Sequence, residues 1–259
     1  MSASEEDVLL CVLMQASEHC SYKKFPMFLR LAVNGVLQAD IVSKRISGLD
    51  GTFVVMVRLP GGVRNIAMLQ MGTSRNEHMF QLAPNNHIVD IEHDTLLLMT
   101  WGKQLQRLHL FPGRQLMFIL PDAGKNRLAV QGSIRQLSCW KDALDNYSLR
   151  IPNTATLLAL PVKQKLKSVA FKLVRKPESG DGMEWEQPLH KNKTISLAEN
   201  VDGGNVIVTR WNESSVNKTE VFVSQRGYRV RDIDSVMYSI FKYTSDMYKC
   251  INNIPIEED

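Results

Sequence analysis

The sequence is poor in the features that announce a compartment or a reaction. Its four cysteines, Cys11, Cys20, Cys139 and Cys250, lie far apart and form no CxxC pair. That excludes a dense disulfide framework and predicts reduced, mostly packed thiols in an intracellular protein. No uninterrupted apolar stretch approaches the roughly 18 residues of a membrane-spanning helix; the run from Val8 to Met14 covers seven. In "MSASEEDVLLCVLMQ" acids precede that run, where a secretory signal would carry positive charge. A cytoplasmic or nuclear location is expected, and the sequons at Asn192, Asn212 and Asn217 read as chance matches.

Signature loops of catalysis are missing too. There is no GxSxG elbow, no HExxH, no GxxxxGK[ST] and no GxGxxG before a helix. The glycine doublets Gly61-Gly62 and Gly203-Gly204 stand alone, and hairpin turns account for both. Cys139 beside Trp140 reads as a core thiol, not a nucleophile. Hydrolase, NTPase and dinucleotide chemistry are disfavoured. No cofactor and no metal are expected, and the protein is read as a non-enzyme.

One stretch, "HIVDIEHD" (87–94), gathers two histidines and three acids in eight positions. As a strand it puts His87, Val89, Ile91 and His93 on one face and Ile88, Asp90, Glu92 and Asp94 on the other. The histidines are then about 20 Å apart, at about 3.3 Å per residue, and cannot share an ion. A solvated strand face is the favoured reading. The competing one is a hydrolase or metal-dependent enzyme whose site combines Asp90, Glu92 and Asp94 with a histidine such as His109.

What is present is ordinary globular material: 259 residues, 44% hydrophobic, 22% charged, with a mild net charge of +4. Short runs such as "MFLRLAV", "TFVVMVRL", "RQLMFIL" and "SVAFKLVR" alternate with Asn34-Gly35, Asp50-Gly51, Pro60-Gly61-Gly62 and Pro121-Asp122 turn signals. "FVVMVRLPGGVRNIAMLQM" reads as a hairpin. The polar stretch 177–205 reads as a long loop or mobile excursion. Strand signals every eight to twelve residues predict a mainly β protein, an antiparallel sandwich or barrel-like core of ten or more strands. Met56, Met68, Met71, Met79, Met99 and Met117 fall in these strands as adaptable core packing.

A helix is expected at each end. Ser4 and Asp7 fit a capping-box spacing before an apolar run, predicting a helix within 1–20. Ile233, Val236, Met237, Ile240, Phe241 and Met247 recur at spacings of three and four, predicting a C-terminal helix within 232–259 whose apolar stripe serves as core or interface. The β-rich core spans 21–231, with two subdomains divided near 140–160 as an option. No internal repeat of fixed period is visible.

The basic residues suggest a partner. Lys163, Lys165, Lys167, Lys172, Arg175 and Lys176 fall within fourteen residues with no acid between them. At strand spacing, Lys163, Lys165 and Lys167 form a ladder suited to phosphates, with Arg226 and Arg229 as further basic residues. A solvated sheet edge is the competing explanation. The expectation is therefore a non-enzymatic binding and assembly protein. It would self-associate or bind other proteins and touch RNA, other nucleic acid or an anionic membrane surface, with the general character of a viral structural or matrix-type protein.

Overall fold

The computed structural model describes residues 7–16, 23, 26–34, 36–37, 41–61, 64–73, 86–101, 103–121, 127–140, 148–151, 155–163, 165–176, 182–188, 191–198 and 202–224. In chain order the strands are β1 (Val8–Gln15), β2 (Met27–Val33), β3 (Val36–Leu37), β4 (Ile41–Val42), β5 (Lys44–Arg45), β6 (Thr52–Leu59), β7 (Asn65–Thr73), β8 (Asn86–Ile91), β9 (Thr95–Thr100) and β10 (Gln106–His109). There follow β11 (Arg114–Pro121), β12 (Arg127–Gly132), β13 (Ser148–Ile151), β14 (Ala155–Val162), β15 (Ser168–Lys176), β16 (Glu184–Trp185), β17 (Lys193–Ser196), β18 (Gly203–Thr209) and β19 (Val216–Ser224). A 3-10 turn spans Arg135–Trp140. The protein is mainly β, and among the described residues no helix is long and apolar enough to cross a membrane.

The chain divides into two compact units. Unit 1 takes Met1–Lys44, Gly51–Arg107 and Ser224–Asp259, and unit 2 takes Arg45–Asp50 and Leu108–Val223. Residues 140–160 lie inside unit 2.

Unit 1 is a two-sheet sandwich. In its first sheet β1 is central, antiparallel to β6 and parallel to β9, with Leu10 opposite both Val57 and Thr95. In its second sheet β7 lies between β2 and β8, antiparallel to both. Alternate residues point inward, as the pleat dictates. Leu10, Val12 and Met14 of β1 thus meet Leu29 and Leu31 of β2 and Ala67, Leu69 and Met71 of β7. Each such aliphatic side chain removed from water contributes about 1.5–3 kcal/mol.

Unit 2 is a second sandwich. Its first sheet runs β19-β18-β11-β14-β13, with β11 antiparallel to β14 and parallel to β18. Its second sheet has β15 flanked by β12 on one side and by β16 and β17 on the other. Leu116, Phe118, Leu158, Leu160, Val169, Phe171, Leu173 and Ile195 fill the space between. Phe118 and Phe171 meet edge to face, centroids 5.0 Å apart, the arrangement that ring quadrupoles favour.

Three sequence expectations are corrected. The N-terminal helix is β1: Leu9, Cys11 and Leu13 are as buried as Leu10, Val12 and Met14. A strand covered on both faces reads as an unbroken apolar run, which periodicity alone cannot tell from a buried helix. The hairpin expected of "FVVMVRLPGGVRNIAMLQM" does not form, because β6 belongs to the first sheet and β7 to the second. The stretch 177–205 contains β16, β17 and the start of β18. The C-terminal helix expected through Ile233, Val236, Met237, Ile240, Phe241 and Met247 lies outside the described residues, as do Arg226 and Arg229.

Candidate functional site

The lysine ladder does not exist as a ladder. β14 ends at Val162 and β15 begins at Ser168, so Lys163, Lys165 and Lys167 occupy the connection between them, where Leu166 N donates to Lys163 O at 3.1 Å. All three are exposed but do not alternate along a strand. Lys172 and Arg175 do lie in β15, turned to opposite faces, and both are engaged. Lys172 is 2% exposed and its Nζ donates to Pro188 O at 2.7 Å. Arg175 Nε lies 3.1 Å from Glu184 Oε2, and its guanidinium carbon sits 4.7 Å from the centroid of the Trp211 ring. Lys176 is the last residue of β15.

The acidic row dissolves as well. Arg64 Nε donates to Asp90 Oδ2 at 2.7 Å, and Leu9 N donates to Asp94 Oδ1 at 2.7 Å. β8 ends at Ile91, leaving Glu92 and His93 exposed beyond it. His109 is exposed in β10. Among the described residues no three His, Cys, Asp or Glu side chains gather closely enough to hold a metal ion. Cys11 is fully buried, and burial pushes its thiol up to about 12, so it is no nucleophile.

His87 behaves differently. It faces inward from β8, half-buried, and burial holds its imidazole below the usual range because the charged form loses hydration. The unfolded chain therefore takes up this proton first as the pH falls. The neutral-His87 contribution is intact above the unfolded value of about 6.5 and is lost below it. Urea denaturation at pH 7.5 and pH 5 is expected to show a smaller pH-dependent loss in His87→Leu than in the parent chain. An equal loss in both would contradict this origin.

The polar group that unit 2 builds with most care lies at the β15 edge, in the stretch read as a loop. β17 pairs with Ser168–Phe171 and β16 with Val174–Arg175, leaving Lys172 and Leu173 between them. Glu186 completes the ladder there: its N donates to Leu173 O at 3.1 Å, and Leu173 N donates to its Oε1 at 2.9 Å. The other carboxylate oxygen accepts from Lys193 Nζ at 2.6 Å, with side-chain exposures of 4% for Glu186 and 8% for Lys193. Lys193 Nζ also donates to Arg210 O at 3.0 Å. Gln187 N donates to Asn212 Oδ1 at 2.8 Å, and Asn212 takes a left-handed φ of 56°. These bonds tie the β16–β17 connection to the loop that carries Trp211, whose ring also packs on the unit 2 core.

Chemically this corner offers one half-buried indole, an Arg175–Glu184 fork beside it, and amide and carboxylate groups around both. Each buried cation there is matched by a carboxylate or by carbonyls. The arrangement suits a ligand that hydrogen-bonds without bringing charge. Nothing in the sequence marked it, because Glu186 and Lys193 are seven positions apart with no motif between them. Their only signal was two charges inside a segment flanked by short strand-like pieces.

No family model matches the sequence, and no curated protein matches it. Among solved structures, the chain resembles an α-glucan-binding streptococcal virulence factor at 11% identity, covering 81% of this chain and 96% of that one, TM-score 0.30. It resembles CBMbc (family CBM26) from Eubacterium rectale Amy13K in complex with maltoheptaose at 6% identity, covering 87% and 99%, TM-score 0.29. It also resembles Hormoconis resinae glucoamylase at 16% identity, covering 41% of this chain and 18% of that one, TM-score 0.31. Likenesses this loose extend no further than β-rich architecture.

The expectation of a self-associating or protein-binding assembly protein, with RNA or an anionic membrane as partner and a matrix-like character, is corrected. Its basic ladder is a turn plus two internally engaged side chains. The helix expected within 1–20 is a central strand buried on both faces. The three structures named above are described by α-glucan binding, a maltoheptaose complex and glucoamylase, not by RNA binding or a viral structural role.

Proposed function

We propose that the protein is a non-catalytic binding module for a neutral carbohydrate, taken up at the Trp211 corner of unit 2. The observation that carries this reading is Arg175 stacked on Trp211 and forked to Glu184. An indole offers the apolar surface that the C–H face of a sugar ring packs on. The fork and the neighbouring Gln187 and Asn212 amides offer donors and acceptors for hydroxyls. Because Lys193, Arg175 and Lys172 already have acceptors, a phosphate or sulfate gains less there than at a bare cationic site. An intracellular setting, inferred from the sparse cysteines, belongs to the same proposal.

The test is titration calorimetry of the full chain with maltoheptaose, cellohexaose and xylohexaose. Saturable binding to at least one is expected, little changed between 0.1 and 0.5 M salt, since a neutral ligand has no charge to screen. Trp211→Ala is expected to weaken it about 30-fold, the loss of about 2 kcal/mol typical of a central aromatic contact. Retention on heparin with no response to any of the three sugars would defeat the proposal.

A further inference from the structure

We infer that the two units are copies of one six-strand design, and that the carbohydrate site belongs to the second copy alone, so that the chain takes one ligand per molecule. The second clause rests on the function proposed above; the first stands on topology.

Strand for strand, β1, β2, β6, β7, β8 and β9 of unit 1 correspond to β11, β12, β14, β15, β17 and β18 of unit 2. In each unit the first of these is the central strand of the first sheet, antiparallel to the third and parallel to the last. In each the second strand pairs with the fourth, and the fourth with the fifth, all antiparallel, in the other sheet. Sandwiches admit many strand orders, and a shared order with the same odd parallel pair is a specific coincidence.

The registers agree as well. In unit 1, Val12 lies opposite Val55 and Leu97; in unit 2, Phe118 lies opposite Leu158 and Ile207. One polar device recurs at the same place. Asn34 N donates to Ile66 O, and Ile66 N donates back to Asn34 Oδ1 at 2.7 Å. Ser133 N donates to Ala170 O, and Ala170 N donates back to Ser133 Oγ at 3.1 Å. Aligning these two brackets puts Ala67 on Phe171, Leu69 on Leu173, Met71 on Arg175 and Ile91 on Ile195. It also puts Val33 on Gly132, where a Cβ would stand 2.6 Å from Leu137 Cδ1. In unit 2 the 3-10 turn fills the space that Val33 fills in unit 1.

Extending the register from Leu97 and Ile207 sets Trp101 on Trp211, so the copies share the indole and part company around it. Through their partners on the neighbouring strand, His87 corresponds to Glu186 and Val89 to Lys193. One residue separates the first pair and six separate the second, so five are inserted into the edge strand of unit 2. That insertion, with Met71, His87 and Val89 replaced by Arg175, Glu186 and Lys193, makes the polar corner. In unit 1 the same positions carry a fully buried methionine, a half-buried imidazole and a half-buried valine, which leave no equivalent fork.

Titration of the full chain with maltoheptaose, cellohexaose and xylohexaose is expected to give a stoichiometry of one. Trp211→Ala should weaken that binding about 30-fold, while Ile88→Ser, on the exposed unit 1 edge, should leave it unchanged. Two equivalent sites would overturn the single-copy assignment and leave the binding function standing. If none of the sugars binds, the proposed function fails, and the shared design is judged separately by amide hydrogen exchange. There Asn34→Ala should speed exchange at Ile66 about tenfold and Ser133→Ala at Ala170 about tenfold, each sparing the other unit. Failure of either variant to expose its own amide would overturn the correspondence.

Discussion

A Glu186→Ala variant is expected to unfold with about 3–5 kcal/mol less free energy than the parent chain in urea denaturation. The carboxylate satisfies a backbone N–H that the interrupted edge strand leaves open and neutralises an ammonium with hardly any contact with water. Alanine removes both functions and strands the Lys193 charge against Arg210 O alone. Desolvation is what makes the loss large, since the same pair on the surface would be worth at most about 1 kcal/mol. A Glu186→Leu, Lys193→Met double variant should recover a large part of the loss, because neither residue is then a buried charge. A single-variant loss below about 1 kcal/mol would show that water reaches the pair.

Gly203→Ala is expected to cost about 2–5 kcal/mol, from backbone strain and overpacking together. Gly203 has φ +140°, and an added Cβ would stand 2.1 Å from Val221 O, an oxygen of the neighbouring strand that cannot swing aside. Gly182→Ala is the control. Its φ is also positive, at +77°, but nothing lies within 4 Å of the added atom. It should cost only about 1 kcal/mol. Thermal unfolding of the two variants separates contact from conformation; equal losses would refute the steric account.

Much of the fold was legible from short-range chemistry. "MFLRLAV" and "TFVVMVRL" are β2 and β6 to the residue, because β-branched and aliphatic residues between turn formers leave little else to adopt. Met56, Met71, Met99 and Met117 are fully buried, as core packing requires. The failures share a cause. β1 was misread because two-sided burial erases the alternation that marks a strand. The β6–β7 hairpin was misread because a Pro-Gly-Gly sequence is equally compatible with folding a strand back and with passing from one sheet to the other.

The candidate site was not legible, because its parts meet only through sheet pairing. Trp211, Arg175 and Glu186 come from three separate segments, and no spacing rule joins them. The duplicated design was nearly invisible as well. Arg30–Gly35 and Arg127–Gly132 read "RLAVNG" and "RLAVQG", yet the brackets at Asn34 and Ser133 place these hexapeptides two residues out of structural step. A two-residue shift keeps every side chain on its own face. Hydrophobic pattern was therefore preserved while sequence register was lost.

The parallel pairing of β1 with β9 has a consequence for synthesis. Leu10 finds Thr95 as its neighbour, so a strand made early waits for one made about 85 residues later. At about 5–20 residues per second, a ribosome leaves that greasy octapeptide without one flank for roughly 4–17 seconds. Contacts so distant along the chain close slowly, and in that interval the octapeptide is open to chaperones and to its counterparts on neighbouring polysomes.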